Sequence, residues 1–153
     1  MRGILMCAIL LIISLVSVIA AAEQSESFGN YTVHYNALTT DLIDPAVARN
    51  VGIIRSKSRA LINVAVLRKV MGTPSQPVKA EVKITATNLN SQLKTIEIRE
   101  LREEDKARGT TAIYYIGEVP VDHTETLIFH VTIKPEGETE THELSFQEQF
   151  FTR

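Results

Sequence analysis

The sequence predicts an all-β fold: an immunoglobulin-like antiparallel β-sandwich of about seven strands, with one short helix after the first strand. Three observations carry that prediction. Arg59–Val70 is the longest β-branched run after the N-terminal apolar segment. Val78–Leu89 alternates apolar and polar residues cleanly, and turn signals recur every ten residues or so, the spacing of a sandwich.

Arg59–Val70 reads as the central strand. Side chains alternate faces along a strand, so Ala60, Ile62, Val64 and Val66 share one side, and Leu61, Asn63, Ala65 and Leu67 share the other. One side is wholly apolar and the other mostly so, which suits the middle of a sheet.

Taken in order, Met1-Arg2 precedes Gly3–Ala22, an apolar run ending Ile19-Ala20-Ala21-Ala22. A basic start, an apolar centre and small residues before a cut after Ala22 form the pattern of a secretory signal peptide, with residues 23–153 as a single sandwich domain. The alternative is an inner-membrane anchor over residues 3–22, since about 20 apolar residues can cross a bilayer. Glu23–Ser27 reads as a loosely ordered polar leader. Phe28–Asn36 is the first strand, with Tyr31, Val33 and Tyr35 on its inner side. Thr39–Ile54 has no period of two. Asp44-Pro45 is a helix start and Gly52 a stop, so a helix of about two turns is expected over Pro45–Asn50. Its apolar neighbours Leu42, Ile43, Ile53 and Ile54 would let this connector lie on the second face of the central strand; if it does not, that face is open to a partner chain. Leu93–Leu101 reads as one further strand and Arg102–Thr110 as a charged loop. Thr111–Val119, Thr126–Lys134 and Thr141–Phe150 complete the set.

Cleavage after Ala22 would leave 131 of the 153 residues, enough for one core. The one cysteine, Cys7, would leave with the signal, so disulfides, thiolate metal sites and a cysteine nucleophile are not expected in the exported chain. The small net charge of −2 offers nothing to nucleic acid. Charge is unevenly spread. Pro45–Ala80 holds bases without acids, and Glu118–Glu148 is strongly acidic, so pairing between the two segments on the folded surface is expected.

Candidate sites are few. Arg55, Lys57 and Arg59 stand at i, i+2 and i+4, which on extended backbone aims three cations one way about 6.6 Å apart and makes an anion- or partner-binding stripe. The sequence proposes no catalytic and no metal-ligating residues and no cofactor. His34, His123, His130 and His142 show no metal-ligand spacing, and His34 and His130 fall on polar strand faces. Asp122-His123-Thr124-Glu125 holds catalytic residue types but lies where a turn belongs. No Gly-x-Ser-x-Gly elbow is present.

Phe28–Leu38, the Ile54–Lys69 run beginning Ile-Arg-Ser-Lys-Ser-Arg, and the ending Gln149-Phe150-Phe151-Thr152 resemble the proteobacterial family known as domain of unknown function 4426. The resemblance spans the expected exported chain. It implies a small exported protein of Gram-negative bacteria and supplies no site residues. The function expected is a non-catalytic periplasmic binding or interaction module for an envelope protein or an anionic envelope component, without nucleic acid and without stable membrane insertion after cleavage. The alternative is a small periplasmic hydrolase or metal-handling protein using Asp122, His123 and Glu125.

Overall fold

The computed structural model describes residues 24–153. The expected signal segment and its cut after Ala22 lie outside the described residues. Among the described residues ten strands build two antiparallel sheets: β1 (Gln24–Phe28), β2 (Tyr31–Thr39), β3 (Arg59–Arg68), β4 (Gln76–Pro77), β5 (Ala80–Asn88), β6 (Leu93–Ile96), β7 (Ile98–Asp105), β8 (Thr110–Pro120), β9 (Glu125–Pro135) and β10 (His142–Phe150). The first sheet runs β1-β2-β3-β8-β7, with β4 paired to the end of β3; the second runs β10-β9-β5-β6. A 3-10 turn (Thr40–Leu42) and helix α1 (Pro45–Val51) connect β2 to β3.

The core lies between the sheets. The inner face of β3 delivers Ala60, Ile62, Val64 and Val66, each with no exposed surface. Phe129, also fully buried, stacks on Phe146 at a ring separation of 5.0 Å, and Phe146 meets Tyr35 of the facing sheet at 4.6 Å. Burying a side chain of this size stabilises the fold by roughly 1.5–3 kcal/mol, so a core of this extent needs no covalent staple. The alternating pattern therefore places the central strand and its core-facing side as expected.

The short helix also forms where its caps put it. Asp44 Oδ1 accepts the backbone N–H groups of Ala46 (2.8 Å) and Val47 (3.2 Å), satisfying two donors that the first turn leaves open. Gly52 ends the helix in the left-handed region at φ 69°.

Four local expectations change. Gln24–Ser27 of the expected loose leader belong to β1, which pairs with β2 from Gln24↔Tyr35 to Phe28↔Tyr31; main-chain bonding makes this strand, so its polar side chains give no signal. The single strand expected over Leu93–Leu101 is two, because the chain leaves one sheet after Ile96 and joins the other at Ile98. Gly117 permits that crossing: a Cβ there would lie 2.5 Å from Ile96 Cγ2 and 2.9 Å from the Glu97 carbonyl oxygen. The charged loop expected from Arg102 is strand as far as Asp105, an edge strand whose charges resist pairing with other chains. The extended backbone expected over Arg55, Lys57 and Arg59 is absent, because a turn occupies Lys57-Ser58 and strand begins at Arg59.

The expected pairing of basic and acidic segments reduces, among the described residues, to Arg59 with Glu118 at 3.1 Å. Most other ion pairs are local, such as Glu81 with Lys83 and Arg108 with Asp105. No helix among the described residues is long and apolar enough to cross a membrane.

Candidate binding groove

The two outer faces of the sandwich differ. On the second sheet, Thr95, Thr85, His130 and Ser145 stand opposite one another across four strands, and His130 Nδ1 and Ser145 Oγ are hydrogen-bonded at 2.9 Å. That face is wet and satisfied. On the first sheet, the outer sides of β2, β3, β8 and β7 carry Leu38, Leu61, Ile116 and Leu101, and the β2–β3 connector lies down on part of them. Ala48 and Ile53 of the connector form a second buried cluster with Leu61 and Ile116.

Thr40 holds the connector in place. Its side chain is fully buried; Oγ1 accepts the Ser56 N–H at 2.8 Å and has the carbonyl oxygens of Ile54 (2.9 Å) and Ser56 (3.0 Å) within reach of its proton. Arg55 donates to the Asp41 carbonyl and Arg99 to the Val51 carbonyl. Three side chains thus tie an irregular segment to itself and to the neighbouring strand β7.

The cover is incomplete. Beside α1 a groove of about 320 Å³ remains, walled by Leu38, Val47, Val51, Leu101 and Tyr114 and floored by Asn36 and Asn63. These two asparagines are direct cross-strand partners in β2 and β3. The Oδ1 atom of each is buried and has no hydrogen-bond partner, and the third such atom among the described residues, Asp41 Oδ1, belongs to the connector itself. A buried oxygen left unpaired costs about 1–3 kcal/mol, so native folds keep few of them. Here two of the three stand side by side in the groove. Val47 adds exposed apolar surface at its wall, and Leu42 and Ile54 of the same connector are exposed as well. A concave, mostly apolar site with a few convergent polar groups is the usual form of a ligand pocket.

The residues that the sequence singles out fall elsewhere. Arg55, Lys57 and Arg59 do not form an extended stripe: Arg55 and Arg59 are engaged as above, and Lys57 is exposed in the turn. Asp122, His123 and Glu125 form the turn into β9. Burial pushes the Glu125 carboxyl up, but hydrogen bonds from Lys94, the Asp122 N–H and Asn88 together hold it below the ordinary carboxylate range. His123 Nδ1 accepts the Thr152 N–H at 3.2 Å. Two of the three members are therefore occupied in holding the turn and the C-terminus. Among the described residues no three His, Cys, Asp or Glu side chains converge as a metal site would require. The asparagine pair escaped attention because a polar residue in a strand ordinarily signals a solvated face; only the position of Asn63 among Leu61, Ala65 and Leu67 hints otherwise.

Architecture and groove define the class: a two-sheet antiparallel β-sandwich, one outer face wet and the other partly roofed by a connector. The chain belongs to the family "Domain of unknown function (DUF4426)", whose model matches residues 25–153. It is similar to the crystal structure of a DUF4426 family protein from Pseudomonas aeruginosa PAO1, with 31% sequence identity, a TM-score of 0.66, and coverage of 86% of this chain and 96% of that one. A family 123 glycoside hydrolase from Clostridium perfringens aligns at 7% identity and a TM-score of 0.39, covering 79% of this chain and 28% of its own; at that distance it carries no argument here. No curated protein matches.

Proposed function

We propose that this protein is an exported, non-catalytic binding module of the bacterial envelope and that its binding surface is the groove beside α1. The observation that carries the reading is the opposed Asn36–Asn63 pair, two unpaired buried oxygens on the floor of an apolar hollow. Among the described residues the other such atom is Asp41 Oδ1 of the connector, so the exceptions are few, and a ligand that turned the two asparagine amides toward the groove would complete their hydrogen bonding. Export rests on the Met1–Ala22 pattern, and a family relative in Pseudomonas aeruginosa agrees with a Gram-negative periplasm as the address. The cations Arg55, Lys57 and Arg59 border the connector and remain in the proposal as contacts to an acidic partner surface.

The test is site-specific photo-crosslinking in living cells. A photoreactive phenylalanine at Leu38, in the groove wall, is expected to give a discrete adduct, whereas the same residue at Ile128, on the wet face, gives none. Equal labelling at both positions, or none at Leu38, overturns the reading. Charge reversal at Lys57 and Arg59 is expected to reduce the Leu38 adduct if those cations touch the partner.

A further inference from the structure

We propose that the end of the sandwich nearest the β2–β3 connector rests reversibly on the surface of a phospholipid bilayer, a contact separate from the groove beside α1. At this end β2 and β10 finish, β3 begins, β5 turns into β6 and β8 turns into β9. Among the described residues seven large apolar side chains are exposed, and five of them stand here: Leu42 and Ile54 on the connector, Leu89 and Leu93 at the β5–β6 turn, and Phe151 just past β10. None of the five lines the groove. Asn88-Leu89-Asn90-Ser91 is a turn, where polar residues are the rule, yet Leu89 is 71% exposed. Hydrogen bonds brace the segments against one another. The Val121 N–H donates to the Ser58 carbonyl at 3.0 Å, Lys94 Nζ donates to the Pro120 carbonyl at 2.9 Å, and His123 holds the Thr152 N–H.

Two observations select a bilayer as the occupant. The apolar side chains are spread over three separate segments: β6 and β10 are the two edges of the second sheet, which sets Leu93 and Phe151 about three strand spacings, or 14 Å, apart. A folded partner or a second copy needs one contiguous patch of about 800 Å² to close over, whereas a fluid bilayer admits each tip separately. The second observation is the direction of the chain. β1 begins at Gln24 opposite Tyr35 and runs away from Thr39, so the open start of this strand points to the connector end. Through that start the domain is joined to the Gly3–Ala22 run, which is apolar and of bilayer-spanning length; this end therefore faces the membrane while the run is attached. Charge sets the lipid. Arg49, Arg55 and Lys57 at this end are balanced by Asp41, Asp44 and Asp122, so insertion of the tips supplies the contact and a zwitterionic bilayer suffices.

The sequence has no tryptophan, so one introduced at a time reports its own surroundings. The experiment uses the chain from Glu23, which holds both sheets and the core between them without the apolar run. Ile54→Trp, Leu89→Trp and Phe151→Trp are compared with Met71→Trp, at an exposed residue just past β3 at the opposite end. Each is mixed with phosphatidylcholine–phosphatidylethanolamine vesicles, with and without phosphatidylglycerol, and its emission and its quenching by brominated lipid are recorded. Tryptophan at the three tips is expected to shift to the blue and to be quenched on both vesicle types, with Met71→Trp unchanged. In the otherwise unaltered chain, Leu89→Asp combined with Phe151→Asp is expected to lower the vesicle partition coefficient about tenfold or more while the melting temperature holds. No shift at the tips, or an equal shift in Met71→Trp, overturns the proposal. So does binding confined to phosphatidylglycerol vesicles and lost at high salt, which is adsorption by charge. A concentration-dependent dimer in analytical ultracentrifugation, abolished by the two aspartates, also overturns it by making the occupant a second copy. The Leu38 adduct is read independently, so the groove stands or falls apart from this result.

Discussion

Asn63→Leu should make the protein more stable. Leucine is the closest apolar isostere of asparagine, and position 63 lies on a strand, where leucine is accommodated. The substitution removes a buried oxygen that has no partner, recovering about 1–3 kcal/mol of desolvation cost. It also adds apolar surface against Leu61 and Tyr114, so little of the recovery is offset by exposure. The net gain should be about 1–2 kcal/mol. For a domain of roughly 130 residues that is a melting temperature higher by about 4–8 °C, read by differential scanning calorimetry at pH 7. Most core or sheet substitutions go the other way, so the sign is informative. A melting temperature lowered by 3 °C or more would refute the reasoning, because it would mean that the amide supports the sheet instead of standing unpaired. Stability gained together with binding lost is the signature of a strained site kept for function.

Gly117→Ala should lower stability by about 1–3 kcal/mol, since the new methyl meets Ile96, Ile98 and a backbone oxygen, all closer than 3.0 Å; urea melts test it, and an unchanged midpoint would show that the β6–β7 crossing is loose. Thr40→Val keeps the shape but leaves the Ser56 N–H without its acceptor, so about 2 kcal/mol is lost and amide exchange of Ile53 should accelerate ahead of that of the core strands. Glu125 is held below its ordinary value of 4.5, so its stabilising contribution is complete above that value and is lost as pH falls through the lower folded value. Glu125→Gln should therefore lower the melting temperature at pH 7 and make no difference at pH 2. Glu148 has the opposite sign. Burial raises its carboxyl, so the folded state is penalised above the raised value and relieved as pH falls toward 4.5; Glu148→Gln should raise the melting temperature at pH 7, on the order of a degree or two, with the gain gone by pH 3.

What the sequence made legible follows from period. Ala60, Ile62, Val64 and Val66 were readable as core because β-branched residues at every second position have one economical solution, and Asp44-Pro45 with Gly52 marked a helix because caps are local chemistry. β1 was not readable, since Gln24–Ser27 earns strand structure from hydrogen bonds to β2 and every one of those four side chains is exposed. Nor was the change of sheet at Glu97. Its cause is Gly117, twenty residues downstream, and no local pattern announces a close approach between strands so far apart in sequence.

The site was illegible for a related reason. Arg55, Lys57 and Arg59 drew attention because their spacing is regular, yet a regular spacing matters only if the backbone is extended there, and the Lys57-Ser58 turn removes that condition. Asn36 and Asn63 are 27 positions apart and unremarkable singly. They become a site through two facts of assembly: antiparallel register sets them side by side, and a connector anchored by Thr40 roofs the face beside them while leaving their own patch open. Had the connector ended one turn later and covered them, the two amides would be a buried defect that substitution to leucine would have repaired at no functional loss. The two residues line the open groove while their oxygens are turned inward and unpaired, and that position is what separates a defect from a binding surface.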